Sequence, residues 1–224
     1  MSRETNFSSR HAFLVLDGSG SMSDMEKGSG KPKNVAVAEM VQQIINSLNA
    51  PEFADTFLSV YAYDASAGDV RVTEMLKDYD TLSSTYNEST DVMKWDPLHQ
   101  HGGMTPIGAA LEYAFGQASV WVENADGREV RRAIIYLLSD GMNNVGADGM
   151  DVQKRIEEFN ATTDKGRIRL STIGYFQYDK GANADEDKAR ELLRSLPTNS
   201  RAYFESASVK DIASYIFDTI TVLG

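Results

Sequence analysis

The sequence predicts an α/β fold: a doubly wound, Rossmann-like, mostly parallel central sheet of about six strands, with one antiparallel edge strand and helices on both faces. Three observations predict it. Residues 12–16 and 133–138 are unbroken apolar runs, as in strands buried on both faces of a parallel sheet. Between such runs, apolar residues recur at three- and four-residue spacing, the mark of helices with one buried stripe. Two strand-like runs, 57–63 and 70–76, are separated by a turn too short for a parallel crossover, so one strand is antiparallel.

Taken in order, residues 1–10 are expected as a flexible arm, and 11–224 as one domain. The arm is polar and has no apolar core of a signal peptide. Residues 12–16 form the first strand. Residues 24–33, rich in glycine and charge, form a surface loop. A helix begins near Asn34 and buries Val37, Val41, Ile44 and Leu48, before Asn49-Ala50-Pro51 ends it. The hairpin of 57–63 and 70–76 follows. Residues 77–104 show no sustained period beyond a helical turn at 81–86, and a connection of this length is usually functional. Thr105 is expected to cap a helix with Pro106 in its first position. Ile107, Leu111, Ala114 and Ala118 supply its stripe. Residues 133–138 and 167–176 are further strands, divided by a helix over 151–164. A helix spans 183–196, and the acidic residues at 185–187 are expected to start it in solvent. Tyr203-Phe204 marks a last short strand. Ser208 and Asp211 form a capping-box variant opening a C-terminal helix that buries Val209, Ile212, Ile216 and Ile220.

Composition excludes several classes of function. The net charge of −11 repels nucleic acid and anionic membranes, so neither is an expected partner. With no cysteine, there is no thiolate metal site, disulfide or cysteine nucleophile. No apolar run reaches the length of a membrane span. A cytoplasmic location is the default expectation. The nucleotide motifs fail as well. Gly30-Lys31 runs into Pro32 without the upstream glycine of a P-loop, and Ser23 stands where a dinucleotide fingerprint needs its third glycine. No Gly-x-Ser-x-Gly elbow surrounds Ser19 or Ser21.

What remains is a set of oxygen side chains at strand ends and helix starts. Asp17-Gly-Ser19-Gly-Ser21 follows the first strand, Thr105 stands before a helix, and Asp140 follows the strand at 133–138. In open α/β sheets such loops gather on one edge, where ligands bind. Two carboxylates and three hydroxyls are hard ligands, suited to Mg²⁺ or Mn²⁺ with water completing the shell. Taken singly, each has a plainer role: Thr105 as a helix cap, Asp140 as a turn residue, Asp17 as a partner of its own loop. Separate caps, however, would not assemble one coordination set. His99 and His101 offer a possible zinc pair, although two histidines in a surface loop are more often only that.

Asp-x-Ser-x-Ser at 17–21, Gly-Gly-Met-Thr-Pro-Ile-Gly at 102–108 and Ser-Asp-Gly at 139–141 together resemble the metal-ion-dependent adhesion site of von Willebrand factor A domains. Order and spacing agree over nearly the whole chain. The resemblance implies that Ser19 and Ser21 ligate the ion directly. Thr105 would do so in the ligand-competent state, with Asp140 doing the reverse and Asp17 acting mainly through water. It also implies docking of a partner protein's Asp or Glu rather than bond-breaking chemistry. Small stand-alone bacterial members are similar, among them those of tellurite-resistance and stress-response systems, and others work beside AAA+ ATPases or kinases and phosphatases. Met22, Met104 and Met142 adjoin the three ligand loops and, with Asn143, are expected to form a partner-binding rim. The alternative function is a Mg²⁺-dependent phosphohydrolase or phosphotransferase using Asp17, which would have Ser19 where such enzymes carry a second Asp.

Overall fold

The computed structural model describes residues 8–221, apart from 27, 49, 51–52, 54, 67–68, 81–102 and 128. Six strands form one sheet: β1 (Ser8–Asp17), β2 (Thr56–Ser66), β3 (Asp69–Asp80), β4 (Val130–Ser139), β5 (Gly166–Gly174) and β6 (Tyr203–Glu205), in the order β3-β2-β1-β4-β5-β6. All pairings are parallel except β2 with β3, which is antiparallel at the sheet edge. The predicted sheet and its hairpin are therefore present, with β3 running on to Asp80.

The apolar runs are explained by the sheet's two faces. Along β1, Ala12, Leu14 and Leu16 enter one core with helices α1 (Lys33–Leu48) and α5 (Val209–Thr221). Phe13 and Val15 enter the other, with α2 (Ile107–Glu123), α3 (Met150–Thr162) and α4 (Ala184–Ser195). Strand β4 divides the same way: Ile134, Tyr136 and Leu138 face the first core, and Ala133, Ile135 and Leu137 the second. A strand with no polar face needs cover on both sides, and the helices supply it. At Gly166, which opens β5, a Cβ would lie 1.8 Å from the Arg131 carbonyl oxygen, so only glycine allows this pairing with β4. Among the described residues, no helix is long and apolar enough to cross a membrane.

Several expectations need correction. Ser8–Arg10, expected in the arm, already pair with β4 in β1. Helix α2 starts at Ile107 with Pro106 at its cap position, so Thr105 is not the cap and remains available for another role. The first-turn N–H of Ile107 is instead satisfied from another loop, by Asn143 Oδ1 at 2.9 Å. At α5 the Ser208 N–H donates to Ser206 Oγ, and that hydroxyl donates to Asp211; the capping-box variant acts through an added serine. Glu186 is not solvated at the start of α4. It is buried, accepts the N–H groups of Gln177 and Tyr178, and pairs with Arg190 at 3.5 Å. The helical turn expected at 81–86, His99 and His101 lie outside the described residues.

Candidate cation site

Strands β1 and β4 are neighbours, but the chain leaves them in opposite directions: β1 toward β2, and β4 toward β5. This is the switch point of a doubly wound sheet, where a crevice opens beyond the strand ends. Asp17 ends β1, Ser139 ends β4, and Asp140 follows it. Gly18 holds the first loop against the sheet by donating its N–H to the Tyr63 carbonyl at 2.8 Å. Residues 20–23 then make one 3₁₀ turn. The third segment is fastened to β2 by the Ala65 N–H, which donates to the Met104 carbonyl at 3.1 Å and places Thr105 beside the other two loops.

The structure brings the five expected ligand residues together. Asp17 Oδ1 accepts the Ser19 N–H at 2.8 Å, and Asp17 Oδ2 accepts the Ser139 hydroxyl at 2.5 Å. Ser19 Oγ lies 3.2 Å from Ser21 Oγ, and Ser21 Oγ donates to Asp140 Oδ1 at 2.6 Å. Gly141 sits among the hydroxyls: a Cβ there would lie 3.5 Å from Thr105 Oγ1 and 3.9 Å from Ser21 Oγ. The absence of a side chain at 141 keeps open the space between the second and third loops. Asp17, Ser19, Thr105 and Asp140 are buried, whereas Ser21 is exposed.

The electrostatics fit a cation. The carboxyl of Asp17 is pushed up to about 7, first by burial and second by the charge of Asp140, against the hydrogen bonds from Ser139 and Ser19. Two acids that repel each other at a buried site beside hydroxyl oxygens are relieved by a divalent ion. Among the described residues, no three Asp, Glu or His side chains gather as a metal cage. Any ion here would be held by two carboxylates and neutral hydroxyls.

A cleft of about 670 Å³ opens over the set, and Ser21, Thr105 and Asp140 line it. Asp17 and Ser19 do not line it and form the floor beneath. Of the expected rim, Met142 lines the cleft half-buried, and Met104 is 40% exposed at its border. Met22 is a correction: it is 1% exposed and packs in the core with α1, because the 3₁₀ turn directs it inward. Asn143 is another. Its side chain is spent on α2 and on the Gly146 carbonyl, and its neighbour Asn144 lines the cleft instead.

Three residues at the site were not anticipated. Asn144 Oδ1 accepts the Thr105 N–H at 2.6 Å and ties the second loop to the third. Ser139 orients Asp17. Lys33, the first residue of α1, is buried and donates to Asp140 Oδ2 at 2.5 Å. The sequence held one hint of Lys33's role: a cation in the first turn of a helix opposes the helix dipole and needs another reason to be there.

Residues 13–218 match the family described as von Willebrand factor type A domain. No curated protein matches the chain. Among solved structures, proximal thread matrix protein 1 of the mussel byssus is similar at 14% identity and a TM-score of 0.61, covering 96% of this chain and 48% of that one. The chain thus spans about half the length of that relative. A second structure of the same protein, titled as having a zinc-occupied MIDAS motif, has 18% identity, a TM-score of 0.59 and coverage of 97% and 46%. Manganese-loaded TRAP protein of Plasmodium vivax is similar at 19% identity and a TM-score of 0.55, covering 93% of this chain and 72% of that one. At these identities the likeness concerns the fold.

Proposed function

The chain belongs to the von Willebrand factor type A domain family, and on that premise we propose that it is a divalent-cation-dependent docking module for a side-chain carboxylate of a protein partner. The observation that carries the reading is the meeting of Asp17, Ser19, Ser21, Thr105 and Asp140 from three separate segments beneath one cleft. Mg²⁺ or Mn²⁺ is the expected ion, and the metal-loaded relatives support a divalent cation in this fold. When bound, the ion supplies an electrophilic centre for an incoming carboxylate. Ser19, Ser21 and Thr105 contribute neutral oxygens, so that only the two acids offset its charge. Asp17 anchors the floor, its position fixed by Ser139 and the Ser19 N–H. Half-buried Met142 and exposed Met25 offer apolar surface beside the opening. The setting we propose is that of the stand-alone members the chain resembles: a bacterial cytoplasmic accessory protein in a stress-response, AAA+ ATPase or kinase/phosphatase system.

Hydrolysis at Asp17 is disfavoured by the same geometry. The carboxylate is 2% exposed, does not line the cleft, and has both oxygens engaged. A nucleophile must reach its substrate. Calorimetry with Mg²⁺ and Mn²⁺ on the wild type and Asp17→Ala tests the metal centre. Heat of binding in the wild type and none in the variant is expected; equal heats, or none from either, would sink the reading.

A further inference from the structure

Lys33 carries a charge that its place in the helix does not explain. It opens α1, where a positive charge opposes the helix dipole, and its side chain is 5% exposed. Burying an ammonium is costly unless a partner offsets it. Its partner is Asp140, whose own side chain is fully buried. Ser21 Oγ donates to one oxygen of that carboxylate and Lys33 Nζ to the other. Lys33 is placed there by the loop ahead of α1. Its N–H donates to the Asp24 carbonyl at 2.9 Å, the Glu26 N–H donates to the Lys31 carbonyl at 2.7 Å, and Met25 bridges Pro32. The ammonium also lies 6.0 Å from the Tyr175 ring centroid and forms part of the cleft wall.

We propose that Lys33 is a built-in counter-charge of the cation site, a residue that weakens its hold on the divalent ion and strengthens its uptake of a carboxylate. The inference rests on the docking function proposed above. Its logic is a charge balance. Asp17 and Asp140 carry two negative charges when ionised, and Lys33 carries one positive charge. A divalent ion added to these three groups leaves one net positive charge, which a single carboxylate cancels. Without Lys33 the ion alone neutralises the two acids, and an incoming carboxylate leaves a negative charge in a buried site. Lys33 thereby favours a singly charged carboxylate at the ion, against the acidic Asp24, Asp185 and Glu186 that also line the cleft. It also engages Asp140 through an ammonium, in competition with any cation.

The test uses Lys33→Met and Lys33→Gln, the second keeping a hydrogen-bond donor while removing the charge. Mn²⁺ alone is titrated by calorimetry. Acetate is then titrated onto the Mn²⁺-loaded proteins, with paramagnetic broadening of its methyl resonance as the readout. With bulk-water dielectric and charges ~5 Å apart, Coulomb's law gives roughly sixteenfold tighter Mn²⁺ binding in the variants and roughly fourfold weaker acetate binding. Lys33→Arg keeps the charge and should behave as the wild type. Opposite-signed changes support the proposal. Mn²⁺ binding that is unchanged or weaker in both neutral variants overturns it while leaving the docking function standing. A wild type that binds no Mn²⁺ overturns both. Should the neutral variants fail to fold without metal, Mn²⁺ should refold them by satisfying Asp140, a gain read by circular dichroism; no recovery would count against the proposal.

Discussion

His11 gives the fold a pH dependence whose size and sign can be worked out. The imidazole is 1% exposed, stacks on Phe13 at 3.9 Å, meets the edge of Trp121 at 5.0 Å, and lies with Nε2 2.9 Å from Ser59 Oγ. Burial, followed by the nearby charge of Arg131, pushes its pKa down from 6.5 to about 3. The folded protein therefore keeps the ring neutral at pH values where the unfolded chain has already taken up a proton. The unfolded state binds more protons throughout that window, so this contribution to stability is complete above pH 6.5 and is lost as pH falls toward 3. Between pH 7 and 4.5 the loss is about 3 kcal/mol at ~1.36 kcal/mol per unit. With a urea slope of about 2 kcal/mol per molar, this moves the midpoint by roughly 1.5 M. Asp17 works in the other direction: its carboxyl, raised to about 7, takes up a proton in the folded protein first and adds stability on acidification. A comparison with His11→Gln removes that common contribution. Urea melts followed by tryptophan fluorescence at pH 7 and 4.5 should show the stability advantage of the wild type over the variant shrinking by about 3 kcal/mol. An advantage independent of pH would refute the reasoning, because His11 would then titrate alike in both states.

The remaining predictions concern backbone contacts and the loops. Gly116 lies within α2 with open space at its Cβ position, so Gly116→Ala should stabilise by about 0.5–1 kcal/mol in urea melts. Gly166→Ala should instead destabilise by about 2–4 kcal/mol, because the added methyl meets the Arg131 carbonyl of the paired strand. Asn144→Ala removes the acceptor of the Thr105 N–H; we expect about 1–2 kcal/mol lower stability and weaker Mn²⁺ binding by calorimetry. Arg190 is buried over the Phe176 ring and pairs with Asp187 at 3.0 Å and Glu186 at 3.5 Å. Arg190→Met leaves Glu186 buried without its cation and should cost about 3–5 kcal/mol by the same melts.

The sheet was legible because its central strands carry no polar face. Residues 12–16 and 133–138 could only be strands covered on both sides, and the short turn before Val70 fixed the one antiparallel pair. The meeting of Asp17, Ser19, Ser21, Thr105 and Asp140 was legible for a related reason, since each stands where a loop leaves the sheet or enters a helix. Side-chain direction within loops was not. Met22 looks like a rim residue in the sequence, and only the 3₁₀ turn of residues 20–23 sends it into the core. Bonds between distant loops were equally hidden. Asn143 satisfying Ile107, Asn144 satisfying Thr105 and Lys33 pairing with Asp140 join positions 36, 39 and 107 residues apart. No local pattern encodes such pairs. The start of α2 was misread by one residue because its N–H is satisfied by Asn143, whereas α5 starts where expected and only its cap bonds differ, running through Ser206.

Those cross-loop bonds also constrain how the site can change. The Asn143 and Asn144 side chains fasten the segment after Asp140 to the start of α2, and the Asn144 N–H adds a third bond, to the Thr105 carbonyl at 3.2 Å. At Gly108 a Cβ would lie 2.1 Å from the Ala147 carbonyl oxygen, so the first turn of α2 rests directly on the same segment. Thr105 and Asp140 consequently sit on one tied body. The β1 loop is held to β2 through Gly18 and Tyr63, the Thr105 segment to β2 through Ala65, and Ser139 and Ser21 bond across the loops to Asp17 and Asp140. These ties hold the backbones of Thr105 and Asp140 at one spacing, so a change between their oxygens falls on their side chains. Lys33 adds a further tie, because it enters from α1, on the opposite core, and grips Asp140. The ammonium is thus a point at which the two helical layers meet at the candidate site.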